Sequence, residues 1–166
     1  NDPRTRRGRG VGCGDAALGK SLLDVGATRY VGVDGSQRMI ETANAMLRGN
    51  GGEAICADIE DFLAASGSFD LVVSRLALHY VEHLGDLLRR CCGMLVPGGR
   101  LIFTVIHPVI SSNDARGSTA TPRTDWVVDN YFNPGSRMQV WMGGSVHWYH
   151  RTIEGYVVAT TAAGFE

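Results

Sequence analysis

The feature that most constrains the fold is a regular alternation, from Ala16 onward, between short apolar runs and segments of helical periodicity. A short apolar run bounded by turn residues is typical of a strand that is buried on both faces. The segments between these runs carry apolar residues three or four positions apart, which indicates helices with one buried face. Strands that alternate with helices in this way form a parallel sheet with crossover helices on its faces. We therefore predict an α/β fold with a doubly wound, mostly parallel sheet of about five strands.

The individual elements can be placed by the residues that start and end them. After a first strand before Gly12, the apolar runs predict strands at 30–33, 54–57, 69–74 and 101–106. Ser36 is predicted to cap the helix after the second strand, and Thr152 is predicted to cap the last helix. A weaker helix is predicted at 60–65, and the turn at 97–99 ends the clearest amphipathic helix.

The length of the chain fits one domain with a sizeable core. We predict a single domain over residues 1–166, with a ligand-binding core at 11–107, a loop and small β-rich cap at 108–151, and a final helix at 152–165. Six aromatic residues fall in the cap: Trp126, Tyr131, Phe132, Trp141, Trp148 and Tyr149. They either roof a ligand pocket or form the interior of a small hairpin.

Charge, hydropathy and cysteine content bear on the kind of partner and on the cellular compartment. The 16 Lys and Arg residues balance 17 Asp and Glu residues, so we expect no nucleic-acid partner. No apolar run reaches the roughly 18 residues that span a bilayer, so we expect no membrane partner. The four cysteines form no C-x-x-C pair and no secretory signal is present, which predicts a reduced, cytoplasmic protein. A small molecule is the expected partner, and the sequence carries no signal for the oligomeric state.

The strand-to-helix junctions are the candidate site, because ligands of open parallel sheets bind beyond the carboxyl ends of the strands. The first junction, VGCGDAA at 11–17, has glycines that permit a tight turn and a close approach of a ligand to the backbone. The second strand ends at Asp34, 20 residues after Gly14, where a carboxylate can accept hydrogen bonds from both ribose hydroxyls. The third strand ends at Asp58 and Ile59, which can hold an adenine. Each residue alone also fits an ordinary turn, but the ordered set favours a nucleoside site.

This ordered set resembles the class I S-adenosylmethionine-dependent methyltransferases, particularly the small-molecule branch called methyltransferase type 11 or 12. The resemblance runs from about Val11 to Ile106 and is carried by GCG at 12–14, VGVDGS at 31–36, AD at 57–58, FDLVVS at 69–74, LHYV at 78–81 and LVPGGRL at 95–101. A weaker likeness continues through IHP at 106–108 and HRTIE at 150–154 to AGF at 163–165.

The resemblance implies a Rossmann-like core that binds S-adenosyl-L-methionine and transfers its methyl group to a small-molecule acceptor. The cofactor-binding residues that it implies, in chain order, are Gly12, Cys13, Gly14, Asp34, Gly35, Met39, Asp58, Ile59 and Ser74. In this arrangement the methionine end of the cofactor lies over residues 12–14, the glycine loop. Its ribose lies on Asp34, and its adenine lies between Asp58 and Ile59.

His79 is the candidate catalytic residue, because a base near the methyl group helps when the acceptor is a hydroxyl or a protonated amine. The alternative is that His79 starts a helix and stacks on Tyr80. His79 and His83 also have the i, i+4 spacing of a metal pair, but no third ligand is evident, so no metal site is predicted.

A second enzyme class also remains open. The glycine loop fits a dinucleotide fingerprint and Asp34 lies at the distance that such a site needs, so an NAD-dependent dehydrogenase is an alternative. Against it, the chain has no Tyr-x-x-x-Lys set, and Lys20 is its only lysine.

The first strand departs from the family pattern. Four arginines lie between residues 4 and 9, and Gly10 stands where the family has an acid two residues before Gly12. A central strand should be apolar, so we expect a weak first strand, and the arginines can instead form a basic arm. Ala16 replaces the usual third glycine of the loop.

The family's N-terminal helices and last two strands are also missing from the sequence. We therefore expect a chain that lacks pieces at both ends and whose fifth strand is an exposed edge. This leaves a third hypothesis, a degenerate or fragmentary protein that keeps the fold but binds cofactor weakly or acts as a partner-binding module.

Overall fold

The computed structural model describes residues 6–62, 64–112, 128–141 and 144–166. The strands of the main sheet are β1 (Arg7–Val11), β2 (Arg29–Asp34), β3 (Gly52–Cys56), β4 (Phe69–Arg75) and β5 (Leu95–Thr104). The helices are α1 (Ala17–Asp24), α2 (Gln37–Leu47), α3 (Leu84–Met94), α4 (Pro108–Ser111) and α5 (Ile153–Ala162), and a 3₁₀ turn covers Leu78–Tyr80. The five strands are parallel in the order β3-β2-β1-β4-β5, which confirms the predicted fold.

The sheet is covered by helices on both faces, and the side chains of β4 show the alternation. Val72 points into a cluster of buried residues that includes residues of α3 and α5. Its neighbours Leu71 and Val73 point into a second cluster that includes residues of α2, with leucines of α1 packed against it. This layering leaves the carboxyl ends of the strands free to carry a site.

The first strand, predicted to be weak, is formed, and β1 lies at the centre of the sheet between β2 and β4. Its arginines are accommodated individually. Arg7 forms a salt bridge with Asp70 at 3.0 Å, and the Asp70 carboxylate also accepts the backbone N–H of Arg7 at 2.8 Å. The Arg9 side chain is only 1% exposed and its guanidinium lies 3.7 Å from the centre of the Phe62 ring. A basic arm is therefore also excluded for Arg7 and Arg9.

Tyr30 of β2 explains why β1 carries glycine where the family has an acid. The Tyr30 side chain is buried, and a Cβ atom added at Gly10 would overlap its hydroxyl oxygen. A Cβ atom at Gly19 of α1 would overlap the same ring. Glycines on a strand and a helix thus make room for one large aromatic side chain between them.

Three predicted element ends can be compared with the structure. Ser36 caps α2, since its Oγ accepts the N–H of Met39 at 3.4 Å, and Thr152 caps α5 by accepting the N–H of Gly155 at 2.9 Å. The fifth strand begins earlier than predicted, because the PGG turn lies within β5, where the pairing with β4 is irregular.

The predicted helix at 60–65 is not formed by the described residues of that segment. Asp58 begins a single turn there, because its Oδ1 accepts the N–H of Glu60 at 2.8 Å and its carbonyl accepts the N–H groups of Asp61 and Phe62. The result is a single tight turn immediately after β3.

The β-rich cap contains an antiparallel hairpin of β6 (Gly135–Trp141) and β7 (Gly144–His150). His150 ties the hairpin to α4 and to the residues before β6, because its Nδ1 lies 2.7 Å from Ser111 Oγ and its Nε2 lies 2.8 Å from the carbonyl oxygen of Tyr131. Trp148 is buried, whereas Phe132 is exposed, so the cap aromatics do not form one interior. Trp126 lies outside the described residues.

Among the described strands, β5 lies at the opposite edge of the main sheet from β3. Within the described ranges, no helix has the length and apolar character needed to cross a bilayer.

Candidate functional site

A cavity of about 570 Å³ lies at the carboxyl ends of the strands, at the edge where the sequence placed the site. The segments that follow four strands contribute to it, namely those after β1, β2, β3 and β4. The described residues that line it are Gly12, Asp34, Gly35, Cys56, Ala57, Asp58, Ile59, Glu60, Ala77, Tyr80 and Val81. The three positions on which the sequence argument depended, Gly12, Asp34 and Asp58, therefore face one space.

Asp34 is held in place by two hydrogen bonds from the backbone. Its Oδ2 accepts the N–H of Gly14 at 2.8 Å, and its Oδ1 accepts the N–H of Ser36 at 2.9 Å. A carboxylate has about four lone-pair positions. After these two bonds, each oxygen of Asp34 can still accept one hydrogen bond, which matches two neighbouring hydroxyl groups.

The glycine loop needs glycine at position 12 for two reasons. Gly12 has a φ of +65°, a region that other residues rarely adopt, and a Cβ atom there would overlap the Cβ atom of Ala77. The loop after β1 and the loop after β4 therefore approach each other at this point. Ala16, which replaces the third glycine, adopts a left-handed conformation with φ of +61°.

Cys13 faces the interior and not the large cavity. Its backbone N–H donates to Val33 O at 2.9 Å, and a Cβ atom at Gly32 would lie within 2.7 Å of its sulfur. Burial and the nearby carboxylate of Asp34 raise the pKa of the Cys13 thiol to about 12, so it is protonated and unreactive near neutral pH.

The turn after β3 forms the acidic side of the cavity. Asp58 orders this turn through the hydrogen bond to Glu60 described above, and the side chain of Ile59 packs partly against the main buried cluster. Glu60 also contacts the residue that precedes α3, since its Oε1 accepts the N–H of His83 at 2.9 Å. Glu60 was not predicted, and only its place next to Asp58 and Ile59 pointed to it.

The loop after β4 supplies the opposite side, through Ala77, Tyr80 and Val81. These residues were not predicted individually, although the LHYV motif at 78–81 contains two of them. Leu76 begins this loop with a φ of +55°, an uncommon conformation for leucine, and its N–H donates to Thr104 O at 2.9 Å.

His79 points away from this cavity, into a buried position. It is 3% exposed, its ring centre lies 4.3 Å from that of Tyr80 and 5.5 Å from that of Trp148, and neither ring nitrogen has a hydrogen-bond partner among the described residues. Burial lowers the pKa of His79 to about 4, so the ring is neutral at pH 7.

Two further predicted residues are not among the described residues that line the cavity. Met39 lies on α2 and is 43% exposed. Ser74 is buried within β4, where its hydroxyl finds no hydrogen-bond partner in the described part of the chain. The described residues also hold no group of three or more His, Cys, Asp or Glu side chains that could bind a metal ion.

A smaller cavity of about 100 Å³ adjoins the other side of the glycine loop. Gly12 lines both cavities, and Gly14, Asp15 and Arg75 line the smaller one. The space beyond the strand ends therefore continues from the acidic turn after β3, past Asp34, to the glycine loop.

Comparison with known proteins agrees with this architecture. Residues 10–103 match the family model of the methyltransferase domain. The crystal structure of an S-adenosylmethionine-dependent methyltransferase from Mesorhizobium loti superposes with a TM-score of 0.88 at 32% identity, over 98% of this chain and 75% of that chain. A crystal structure from Listeria monocytogenes superposes with a TM-score of 0.90 at 28% identity, over 100% of this chain and 79% of that chain.

Among curated proteins, the ubiquinone biosynthesis O-methyltransferase of Vibrio parahaemolyticus is 31% identical over 105 residues, which cover 61% of this chain and 44% of that protein. The curated relatives are matched over 41% to 60% of their own length. These matches favour the methyltransferase interpretation over the dehydrogenase alternative. The chain therefore belongs to the methyltransferase-domain family, among the class I S-adenosylmethionine-dependent methyltransferases.

Proposed function

We propose that the cavity at the strand ends binds S-adenosylmethionine and that the protein transfers its methyl group to a small-molecule acceptor. The observation that carries this proposal is that Gly12, Asp34 and Asp58 face one space. The ribose would lie on Asp34 and Gly35, and the adenine would lie beside Asp58 and Ile59. The methionine end would extend over the glycine loop of Gly12, Cys13 and Gly14, toward the smaller cavity.

The chemistry asks mainly for binding and alignment. When bound, the cofactor supplies a methyl group on a sulfonium centre, which leaves as a neutral thioether. Holding the acceptor atom in line with that methyl group can provide much of the rate enhancement. The contribution expected from Asp34, the glycine loop and the Asp58 turn is therefore a fixed cofactor position, which their hydrogen bonds to the backbone support.

His79 was predicted either as a base or as a packing residue. Its burial beside Tyr80 and Trp148 favours the packing role, because a base must reach the proton that it removes. A catalytic role for His79 stays a prediction, and a pH–rate profile of the His79→Gln variant tests it. If His79 is the base, the variant loses most of its kcat while its affinity for the cofactor is unchanged.

The acceptor is proposed to be a small molecule for two reasons. The charge of the chain is balanced, and the ubiquinone biosynthesis enzymes are similar over 61% to 62% of this chain. Aromatic residues of the cap, such as Trp148 and Tyr149, adjoin the loop after β4 and would contribute to an acceptor pocket.

The proposed location is the cytoplasm. All four cysteines are free thiols, which supports this location.

A second hypothesis, a protein that keeps the fold without catalysis, is favoured by one observation. Gly10 replaces the acid that precedes the glycine loop in the family, and Tyr30 fills that space.

Calorimetric titration with S-adenosylhomocysteine tests the cofactor proposal, with NADH as the competing ligand. We expect saturable binding of S-adenosylhomocysteine and no binding of NADH. The absence of binding at millimolar S-adenosylhomocysteine would reject the enzyme proposal. Binding without methyl transfer to any hydroxyl, amine or carbon acceptor in a panel would favour the second hypothesis.

A further inference from the structure

The loop after β4, residues 76–83, forms one side of the cavity but has few bonds of its own. Within it, the N–H of Tyr80 donates to Ala77 O and the N–H of Val81 donates to Leu78 O. From the turn after β3, Glu60 accepts the N–H of His83. These bonds leave the carbonyl groups of Val81 and Glu82 to find partners elsewhere.

Arg151 provides those partners from a distant part of the chain. Its Nη2 donates to Val81 O at 2.6 Å and to Glu82 O at 2.7 Å, across 70 and 69 residues of sequence. Its Nη1 donates to Tyr149 O at 3.4 Å, within the end of the cap hairpin. The planar guanidinium group thus joins the backbone of the hairpin to the backbone of the cavity loop.

Two neighbouring side chains of the hairpin contact the same loop. The hydroxyl of Tyr149 donates to Glu82 Oε2 at 2.9 Å, and the ring of Trp148 lies 6.3 Å from that of Tyr80, which lines the cavity. Arg151 differs from both because it holds main-chain atoms. Val81, whose carbonyl it binds, is itself a lining residue and is buried.

We propose that Arg151 is a positioning residue for the cofactor cavity, a proposal that rests on the proposed function of that cavity. Arg151 fixes the loop 76–83 against the cap, so that Tyr80 and Val81 are in place before the cofactor binds. Without it, the loop must be ordered at the expense of binding energy, and cofactor affinity falls. Because the same guanidinium holds the hairpin, Arg151 also couples the cap to the cavity.

The test compares Arg151→Met with Arg151→Lys and with the control Arg29→Met. Methionine keeps much of the stem but has no donor, whereas lysine keeps a charge that cannot hold both carbonyls with the same geometry. Arg29 is exposed at the amino end of β2, where its side chain forms a salt bridge of 3.5 Å with the exposed Glu53. Arg29→Met is therefore the same substitution at a position that does not line the cavity.

We expect the Kd for S-adenosylhomocysteine to rise by about tenfold or more in Arg151→Met, to rise less in Arg151→Lys, and to stay the same in Arg29→Met. We also expect amide hydrogen exchange without ligand to become faster in residues 77–83 of Arg151→Met, while exchange in β2 and β3 is unchanged. A purely structural role would instead raise exchange throughout the sheet.

A folded Arg151→Met variant with wild-type affinity and wild-type exchange at 77–83 would overturn the proposal. If Arg151→Met does not fold, Arg151→Lys decides, and wild-type affinity in that variant would overturn it. If the wild-type protein itself binds no S-adenosylhomocysteine, the proposed function fails, whereas the exchange result still decides whether Arg151 holds the loop.

Discussion

Asp34 and Gly14 are joined by a hydrogen bond of 2.8 Å, which links the carboxylate at the end of β2 to the backbone of the glycine loop after β1. The acid proposed to bind the ribose and the loop proposed to carry the methionine end are therefore one unit. A ligand that spans both meets a site whose parts are already aligned, which reduces the ordering needed on binding.

Replacing Asp34 by asparagine should weaken cofactor binding strongly. The amide has one acceptor oxygen, so it cannot serve the N–H groups of Gly14 and Ser36 and also two ribose hydroxyls. We expect the Kd for S-adenosylhomocysteine, measured by calorimetry, to rise about 10- to 100-fold. Asp24→Asn is the control, since Asp24 is exposed at the end of α1 beside Lys20. Equal affinity in the Asp34→Asn variant and the wild type would count against the ribose assignment.

Adding a methyl group at Gly10 should destabilise the protein through Tyr30. The new Cβ atom would overlap the Tyr30 hydroxyl, and we expect Gly10→Ala to reduce the free energy of unfolding by about 1–3 kcal/mol. Tyr30→Phe removes that oxygen, so the double variant should be less destabilised than the sum of the two single changes.

Urea denaturation of the four proteins in that cycle gives the coupling energy. Gly85→Ala in α3 is the matched control, because a Cβ atom there meets nothing closer than Arg89 Nη1 at 3.6 Å. It should be neutral or stabilising by about 0.5–1 kcal/mol. Strictly additive effects of Gly10→Ala and Tyr30→Phe would contradict the account of the first strand.

Replacing Arg9 by methionine should stabilise the fold. The Arg9 guanidinium is buried, and its nitrogens have no hydrogen-bond partner among the described residues. Its position over the Phe62 ring offsets only part of the lost hydration. We expect the free energy of unfolding at pH 7 to rise by about 1–3 kcal/mol in urea denaturation. Arg29→Met should change it by less than about 0.5 kcal/mol. A loss of stability in Arg9→Met would show that the guanidinium has a partner that favours it.

His79 should make the fold sensitive to acid. Its pKa is lowered by burial from 6.5 to about 4, so the unfolded chain takes up a proton at a higher pH than the folded protein. Stability should therefore fall as the pH drops from about 6.5 to about 4, by about 2–3 kcal/mol from this residue. Above pH 7 the residue should contribute no pH dependence.

His79→Phe provides the comparison for that effect, because phenylalanine fills a similar space and does not titrate. The difference in the free energy of unfolding between His79→Phe and the wild type should grow in favour of the variant as the pH falls through that window. A constant difference between pH 7 and pH 4 would mean that the His79 ring is protonated as readily in the folded protein as in the unfolded chain.

The parallel sheet and the edge that carries the cavity could be predicted from sequence because both follow from local patterns. Apolar runs that end at Asp34 and Asp58, with glycines at 12 and 14, place their polar groups at one edge of a parallel sheet. How the first strand accommodates its arginines could not be predicted, since Arg7 and Arg9 contact Asp70 and Phe62, which are distant in sequence. The contacts of Arg7 and Arg9 with these residues are visible only in three dimensions.

Some contacts of the site could not be predicted for a similar reason. The Arg151 guanidinium binds backbone carbonyls of Val81 and Glu82, and backbone acceptors leave no trace in side-chain patterns. The burial of His79 results from packing against Trp148 in the cap, a contact between segments about 70 residues apart. The apolar spacing at 60–65 also predicted a helix, whereas the described residues there form only the turn that begins at Asp58.

A crystal structure of the protein with S-adenosylhomocysteine tests the central claim most directly. The account predicts that both ribose hydroxyl oxygens lie within about 3.2 Å of the Asp34 carboxylate, with the adenine beside Asp58 and Ile59 and the amino-acid end over the glycine loop. A ligand bound on another face of the sheet, or a ribose that makes no contact with Asp34, would contradict it.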